Sequence, residues 1–469
     1  MALEASLPLA ITRCPVEGRC MPTLSWSRAR AAFAIALVLA APLLTVLFVI
    51  AYTVDIPYLD EWEMTPLVLK LATGGFHFGD FWSPHNEHRI VVPKLIMLAL
   101  ASLGGWNILR ETLFSVAVAL SFLGLTIVAI RNVAPERVIP VVTLMSLTTF
   151  GLSQAENWLW GFEIAWFLLN VALFAALLLL DAPHRRGSFL GALFCASVAT
   201  VCGAAGIVVW IGGFFVLAAS SKPNRTRLIV WSIASFVMVF AYFSNFSTSL
   251  YRPPEAYGLA FFSTLGAYTL TYLGSPLARS FGAGAALLAG ALLVVAFFAV
   301  CARLRIRSIQ RGVLPFLALG VCSIGIAIET AIGRSGYGSE HALGGRFCTE
   351  SSLLIVALIG ITAHLPGIVA RRNAIFGSAA IASLIIVQTF AGFREGSDAS
   401  VRLYGAGFAL THLDIASDRE LQALFPAPGA MRIFASELRV AGEGPFYGLR
   451  TVSVKTTDRD APTAIAPKR

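Results

Sequence analysis

Residues 31–63 read AAFAIALVLAAPLLTVLFVIAYTVDIPYLDEWE, an uncharged run of 22 residues that gives way at once to an acidic, aromatic segment. A helix needs about 20 apolar residues to cross the roughly 30 Å hydrocarbon core of a bilayer. Residues 31–52 therefore read as a membrane span. Arg28 and Arg30 stand just before it, and Arg13 and Arg19 lie farther upstream. The run is too long for the apolar part of a cleavable signal. The positive-inside bias makes residues 1–30 a cytoplasmic tail. The segment after the run, residues 53–90, then forms a first outer loop.

The rest of the chain repeats this alternation. Hydrophobic residues make up 57% of the 469 and charged residues 13%, with a mean hydropathy of +0.76. Soluble domains carry about 25% charged residues, and no water-soluble core of this length could hide so much apolar surface. The net charge of +9 sits in short Arg and Lys clusters between apolar runs. Those are topology signals, not the basic stripe with interleaved aromatics of a nucleic-acid binder. The seven cysteines include no CxxC pair. Cys195, Cys202, Cys301 and Cys322 fall in or beside apolar runs and Cys348 stands alone in a loop, so neither a disulfide framework nor a zinc site is expected.

The fold class is accordingly all-α, a polytopic transmembrane bundle of about 11–13 membrane helices over residues 31–391, followed by a small extracytoplasmic tail over 392–469. Two runs, 91–104 and 258–274, are short for a span and are read as helices that do not cross. With that reading, the clusters at Arg131 and Arg137, Arg185 and Arg186, Lys222 to Arg227, Arg303 to Arg311, and Arg371 and Arg372 all fall on the cytoplasmic side. A tight helix pair, 188–203 and 206–220, turns at Gly203 to Gly206.

The polar clusters gather on the opposite, outer side. They are Asp55 to Glu63, Trp82 to Arg89, Gln154 to Glu163, and Gly333 to Glu350. Polar groups beside membrane spans are candidates for function. A carboxylate at the boundary can deprotonate an acceptor hydroxyl. Arginines can hold a lipid phosphate through charge-assisted, often bidentate hydrogen bonds. Aromatic rings such as Tyr58 and Trp62 can stack on sugar. Trp158, Trp160 and Trp166 read as an interfacial belt. His85, Glu87 and His88 are close enough in sequence to share a divalent ion, but the spacing is not that of a zinc helix and no cofactor is required.

Tyr58, Asp60, Glu61, Gly79, Asp80 and Pro84, then His88-Arg89, then Gly105-Trp106-Asn107, follow one another in the order of a known loop. Over residues 31–165 the chain resembles the GT-C-fold membrane glycosyltransferases, notably the protein O-mannosyltransferase and aminoarabinose-transferase type. Where that family carries Lys/His-Pro-Pro-Leu, this chain has His85-Asn86-Glu87-His88-Arg89 with Pro93-Lys94 following. The resemblance implies a polyprenyl-phosphate sugar donor, a glycan, lipid or protein acceptor in the envelope, and a place in the inner (plasma) membrane. It further implies inverting transfer with Asp60 as general base and an arginine neutralising the departing phosphate. Glu156 matches a second family carboxylate. Asp60 and Glu61 are thus the catalytic candidates. The substrate-binding candidates are Tyr58, Trp62, His85, Asn86, Glu87, His88, Arg89, Glu156, Asn157, Arg334 and Arg346. A transporter or flippase of lipid-linked glycans, or a non-catalytic membrane scaffold, are the alternatives. A transporter favours charged or broken segments at mid-membrane and related halves, and the sequence shows neither clearly.

Overall fold

A computed structural model of the chain describes residues 23–86, 88–182, 186–220, 223–246, 258–304, 312–365, 369 and 371–447. Helix α1 (Thr23–Tyr52) leads to a 3-10 turn, Leu59–Met64, and three short helices, α2 (Thr65–Thr73), α3 (Phe78–Trp82) and α4 (Val91–Ala101). Helix α4 has 11 residues, about 16 Å at 1.5 Å per residue, half of what a crossing needs. Asn107 then caps α5 (Ile108–Ala129), its side chain accepting the Arg110 backbone N–H at 2.8 Å. There follow α6 (Pro135–Thr149), α7 (Ala155–Leu159), α8 (Ile164–Asp181), α9 (Arg186–Thr200), α10 (Val209–Ala219) and α11 (Arg225–Phe243). The bundle is completed by α12 (Leu259–Ala278), α13 (Ala283–Arg303), α14 (Val313–Arg334), α15 (Cys348–His364) and α16 (Arg371–Thr411), with α17 (Asp418–Gln422) and α18 (Pro428–Ala441) behind them.

Among the described residues, nine helices are long and apolar enough to cross a membrane. The α9–α10 hairpin adds two shorter apolar helices to these nine. Helix α15 is the axis: all its residues but Thr362 are buried, against α6, α8, α12, α13 and α14. The outer helices turn large apolar side chains away from the protein. Phe33, Leu43 and Leu47 of α1, Phe236 and Phe240 of α11, Leu288 and Leu292 of α13 and Phe390 of α16 are all exposed. A band of this kind is stable in hydrocarbon and not in water. The protein is a membrane protein.

Three sequence expectations change. Helix α12 runs 20 residues, about 30 Å, and so is longer than the run 258–274, although it is not among the nine helices apolar enough to cross. Trp158 is not an interfacial residue but a fully buried one, stacked on Phe150 and Phe167 with centroids at 5.8 and 4.5 Å. Cys348 is not in a loop but opens α15, buried beside Ser275.

Residue 392, the expected start of the tail, lies inside α16. That helix continues for 41 residues, about 60 Å, twice the hydrocarbon thickness. Its C-terminal part packs into a second core with the first loop. Trp62, Met64, Leu67, Val68, Met97 and Trp106 meet Leu410, Leu421, Leu424, Met431, Leu438 and Phe446 there. Leu59 N–H donates to the Leu424 carbonyl at 2.7 Å and Trp106 N–H to Glu443 at 3.2 Å. First loop and C-terminal segment thus form one cap over one end of the bundle.

Helices α12 and α13 touch backbone to backbone. A β-carbon at Gly274 would overlap the Ala286 carbonyl, and one at Gly290 the Leu270 carbonyl, the small-residue packing by which membrane helices approach closely. Gly290→Leu is expected to destabilise the protein by about 2 kcal/mol or more through overpacking. Gly284→Leu, where nothing lies within 4 Å, is expected to leave stability unchanged. Thermal unfolding in detergent checks both; equal behaviour of the two variants would refute the close approach.

Candidate active site

In the 3-10 turn Leu59–Met64, Asp60 follows a residue under backbone strain. Leu59 has φ +48° and Asn86 φ +51°, a left-handed conformation rare for a side-chain-bearing residue and rarest for a bulky one. Asn86 Nδ2 donates to Asp60 Oδ2 at 3.0 Å. Two of the three non-glycine residues with positive φ among the described residues therefore flank or hold Asp60. Strain of this kind persists where the surroundings over-determine it, and it clusters at functional sites. Here the Leu424 carbonyl and the cap core supply the constraint.

A cavity of about 740 Å³ opens between α10, α14 and α15 and the ends of α11 and α12. Ile207, Val208, Ile211, Phe243, Ile326 and Ile332 make its apolar walls, and Arg334, Arg346, His88, Glu329 and Glu350 give it polar groups. The loop that carries Arg346 is fastened from below. Asn157 Nδ2 donates to the Arg346 carbonyl at 3.0 Å and to Thr349 Oγ1 at 2.6 Å. Glu156 accepts the Arg346 N–H at 3.0 Å and faces its guanidinium at 3.6 Å.

Arg346 Nη2 lies 3.1 Å from His341 Nε2, and His341 Nδ1 lies 2.8 Å from the Tyr268 hydroxyl. A guanidinium only donates, so Nε2 accepts and Nδ1–H donates to Tyr268. Burial, then the charges of Arg346 and Arg334, push the His341 imidazole down to about 4. It is neutral at physiological pH and orients Arg346 without opposing an anion. Tyr58 is within electrostatic reach of Glu156 and Arg346; burial, then Glu156, raises its phenol, which stays protonated. Of the expected residues, His88, Arg334 and Arg346 line the cavity, Glu156 and Asn157 hold the loop of Arg346, and Asp60 and Asn86 pair with each other in the first loop without lining it.

Others are engaged elsewhere. Arg89 is buried; its guanidinium donates to the carbonyls of Tyr242, at 2.6 Å, and of Trp82 and Ser244. It ties the loop to the end of α11 instead of facing the cavity. Trp62 is fully buried in the cap core. Glu61 is fully buried beneath Gly161. His85 is buried, its imidazole pushed down to about 3 by desolvation, then by Lys94. Its 3.3 Å contact with Glu63 is therefore the approach of a neutral ring, not an ion pair. Glu87 lies outside the described residues. Among those described, no group of three or more His, Cys, Asp or Glu is placed to hold a metal ion.

Two partners at this end were not legible from the sequence. Arg279 makes a two-pronged contact with Glu395, at 2.6 and 3.2 Å, and donates to the carbonyls of Ser153 and Leu343 at 2.8 and 3.0 Å. It joins α16 to the loop of Arg346. Glu395→Ala is expected to cost about 2 kcal/mol, less than a fully buried pair because both side chains keep some solvent, and Arg279→Met with Glu395→Leu to recover at least half. Thermal unfolding of the three proteins checks this; an unchanged midpoint for Glu395→Ala would refute the role of the pair.

No protein-family profile and no curated protein sequence matches the chain. Two crystal structures of ArnT from Cupriavidus metallidurans align with it, one in the apo state and one bound to undecaprenyl phosphate. They cover 91% and 90% of this chain and 76% of theirs, at 14% identity and TM-scores of 0.44 and 0.43.

Proposed function

We propose that this protein is a membrane glycosyltransferase that moves a sugar from a polyprenyl-phosphate donor to a glycan, lipid or protein acceptor of the cell envelope, on the outer face of the plasma membrane. The observation that carries the reading is the cavity: apolar walls with Arg334 and Arg346 among its polar lining, and the first-loop turn of Asp60, whose neighbour Tyr58 is within electrostatic reach of Arg346. An anion on a hydrocarbon tail is the ligand that such a cavity complements.

In this reading Asp60, oriented by Asn86, takes the proton of the acceptor hydroxyl. The acceptor oxygen forms a bond to the anomeric carbon from the side opposite the phosphate. The carbon–oxygen bond to phosphate breaks, its electron pair stays on the phosphate, and configuration inverts. Arg334 and Arg346 stabilise the developing negative charge. Glu156 and His341 keep Arg346 aimed. A phosphate leaves already charged, so no general acid is needed.

Turnover of polyprenyl-phosphate sugar is expected to fall about a thousandfold in Asp60→Asn and Asp60→Ala, and about a hundredfold in kcat/KM in Arg346→Ala. Comparison of envelope glycans in a deletion strain complemented with each variant provides the cellular readout. Full activity of both Asp60 variants would sink the assignment, and movement of a lipid-linked glycan across the bilayer without sugar transfer would replace it with transport. For orientation, cysteines placed at 131 and 137 are expected to resist a membrane-impermeant maleimide while one at the exposed position 78 reacts. The opposite labelling pattern would invert the topology.

A further inference from the structure

Glu61 and Glu111 meet in a place where no cation serves them. Glu61 has no exposed surface and Glu111 is 1% exposed. One oxygen of each is satisfied by a neutral donor, Glu61 Oε2 by the Tyr58 N–H and Glu111 Oε1 by the Trp106 indole, both at 3.1 Å. The remaining oxygens, Glu61 Oε1 and Glu111 Oε2, lie together under Gly161, where a β-carbon would overlap both. Neither of these two oxygens meets any other donor among the described residues. A carboxylate only accepts hydrogen bonds, so two carboxyl groups bond to one another only when one carries a proton.

We propose that Glu61 and Glu111 share one proton and act as a positioning latch, holding the strained turn that carries Tyr58, Leu59 and Asp60 against the first turn of α5. The inference rests on the reading of Asp60 as the base. The latch works from inside the protein while the Leu424 carbonyl holds Leu59 from the cap side. Charged groups facing the pair are few. Asp55 accepts from Ile108 N–H and Asn107 Nδ2, Arg110 donates to the Leu100 and Gly105 carbonyls, and Glu443 accepts from Trp106 N–H. Asp55 adds negative charge, which favours retention of the shared proton, and Arg110 opposes it. Burial, then Glu111, raises the Glu61 carboxyl well above its ordinary 4.5.

The folded pair therefore keeps a proton that the unfolded chain releases above about pH 4.5. Unfolding releases that proton, so the pair's contribution is full at low pH and is lost as pH rises through the folded value. Glu111→Gln substitutes an amide donor for the shared proton and weakens this dependence, because burial still raises Glu61; the double variant removes it.

The test compares wild type, Glu61→Gln, Glu111→Gln and the double variant in detergent between about pH 5 and about pH 9. The wild-type Tm is expected to drop by about 3 °C or more beyond the drop of Glu111→Gln across that range. The alkaline fall in kcat is expected to flatten in Glu111→Gln while KM holds. Parallel Tm profiles for wild type and every variant would overturn the latch. If the Tm profiles separate but no variant, nor wild type, transfers sugar, the latch stands and the enzymatic reading falls. If they separate and kcat follows the same pH profile in all four, the latch does not position Asp60.

Discussion

A charged side chain taken into a lipid-surrounded bundle must find its partner there, because hydrocarbon offers none. That constraint arranges this protein. Several polar contacts that join separate parts of the chain collect at one end: Glu156 with Arg346, Arg279 with Glu395, Asn86 with Asp60, Arg89 with the end of α11. Below them α15 is closed on all sides by apolar neighbours. The mid-level of the bundle supplies walls and the polar end supplies chemistry. The cavity sits where the two meet.

Much of this was legible in the sequence because lipid makes local composition decisive. The run at 31–52 had to be a helix, and charge parity was enough to gather residues 53–90, 154–163 and 333–350 on one side. The structure places those segments in contact. What the sequence hid depends on partners far apart along the chain. Glu395 reads as part of a polar tail until Arg279 is seen 116 positions upstream. Glu111 reads as a carboxylate at a helix start, ordinary for the dipole, until Glu61 is found against it. Arg89 reads as a substrate-binding arginine, but the carbonyls at the end of α11 that hold it have no local signature.

The continuation of α16 was hidden for a related reason. Its residues beyond 392 are polar enough to suggest a solvated tail, since in a helix the eye weighs average composition. Yet Ala406, Ala409 and Leu410 recur at helical spacing and bury on the cap core. A modest apolar stripe suffices where the other half of the core, Trp62, Met64 and Trp106, is supplied by the first loop. Neither half could fold as a separate unit on so few apolar residues, which makes the cap a product of both ends of the chain.

The uninterrupted α16 also fixes where this protein can be cut or extended. A shortened version ending near residue 392 would respect the composition of the chain and still sever a helix in mid-course. It would strip the cover from Trp62, Met64 and Leu67 and remove Glu395 from Arg279. A purification tag or fluorescent fusion belongs beyond Phe446, where the last residue of the cap core has been laid down.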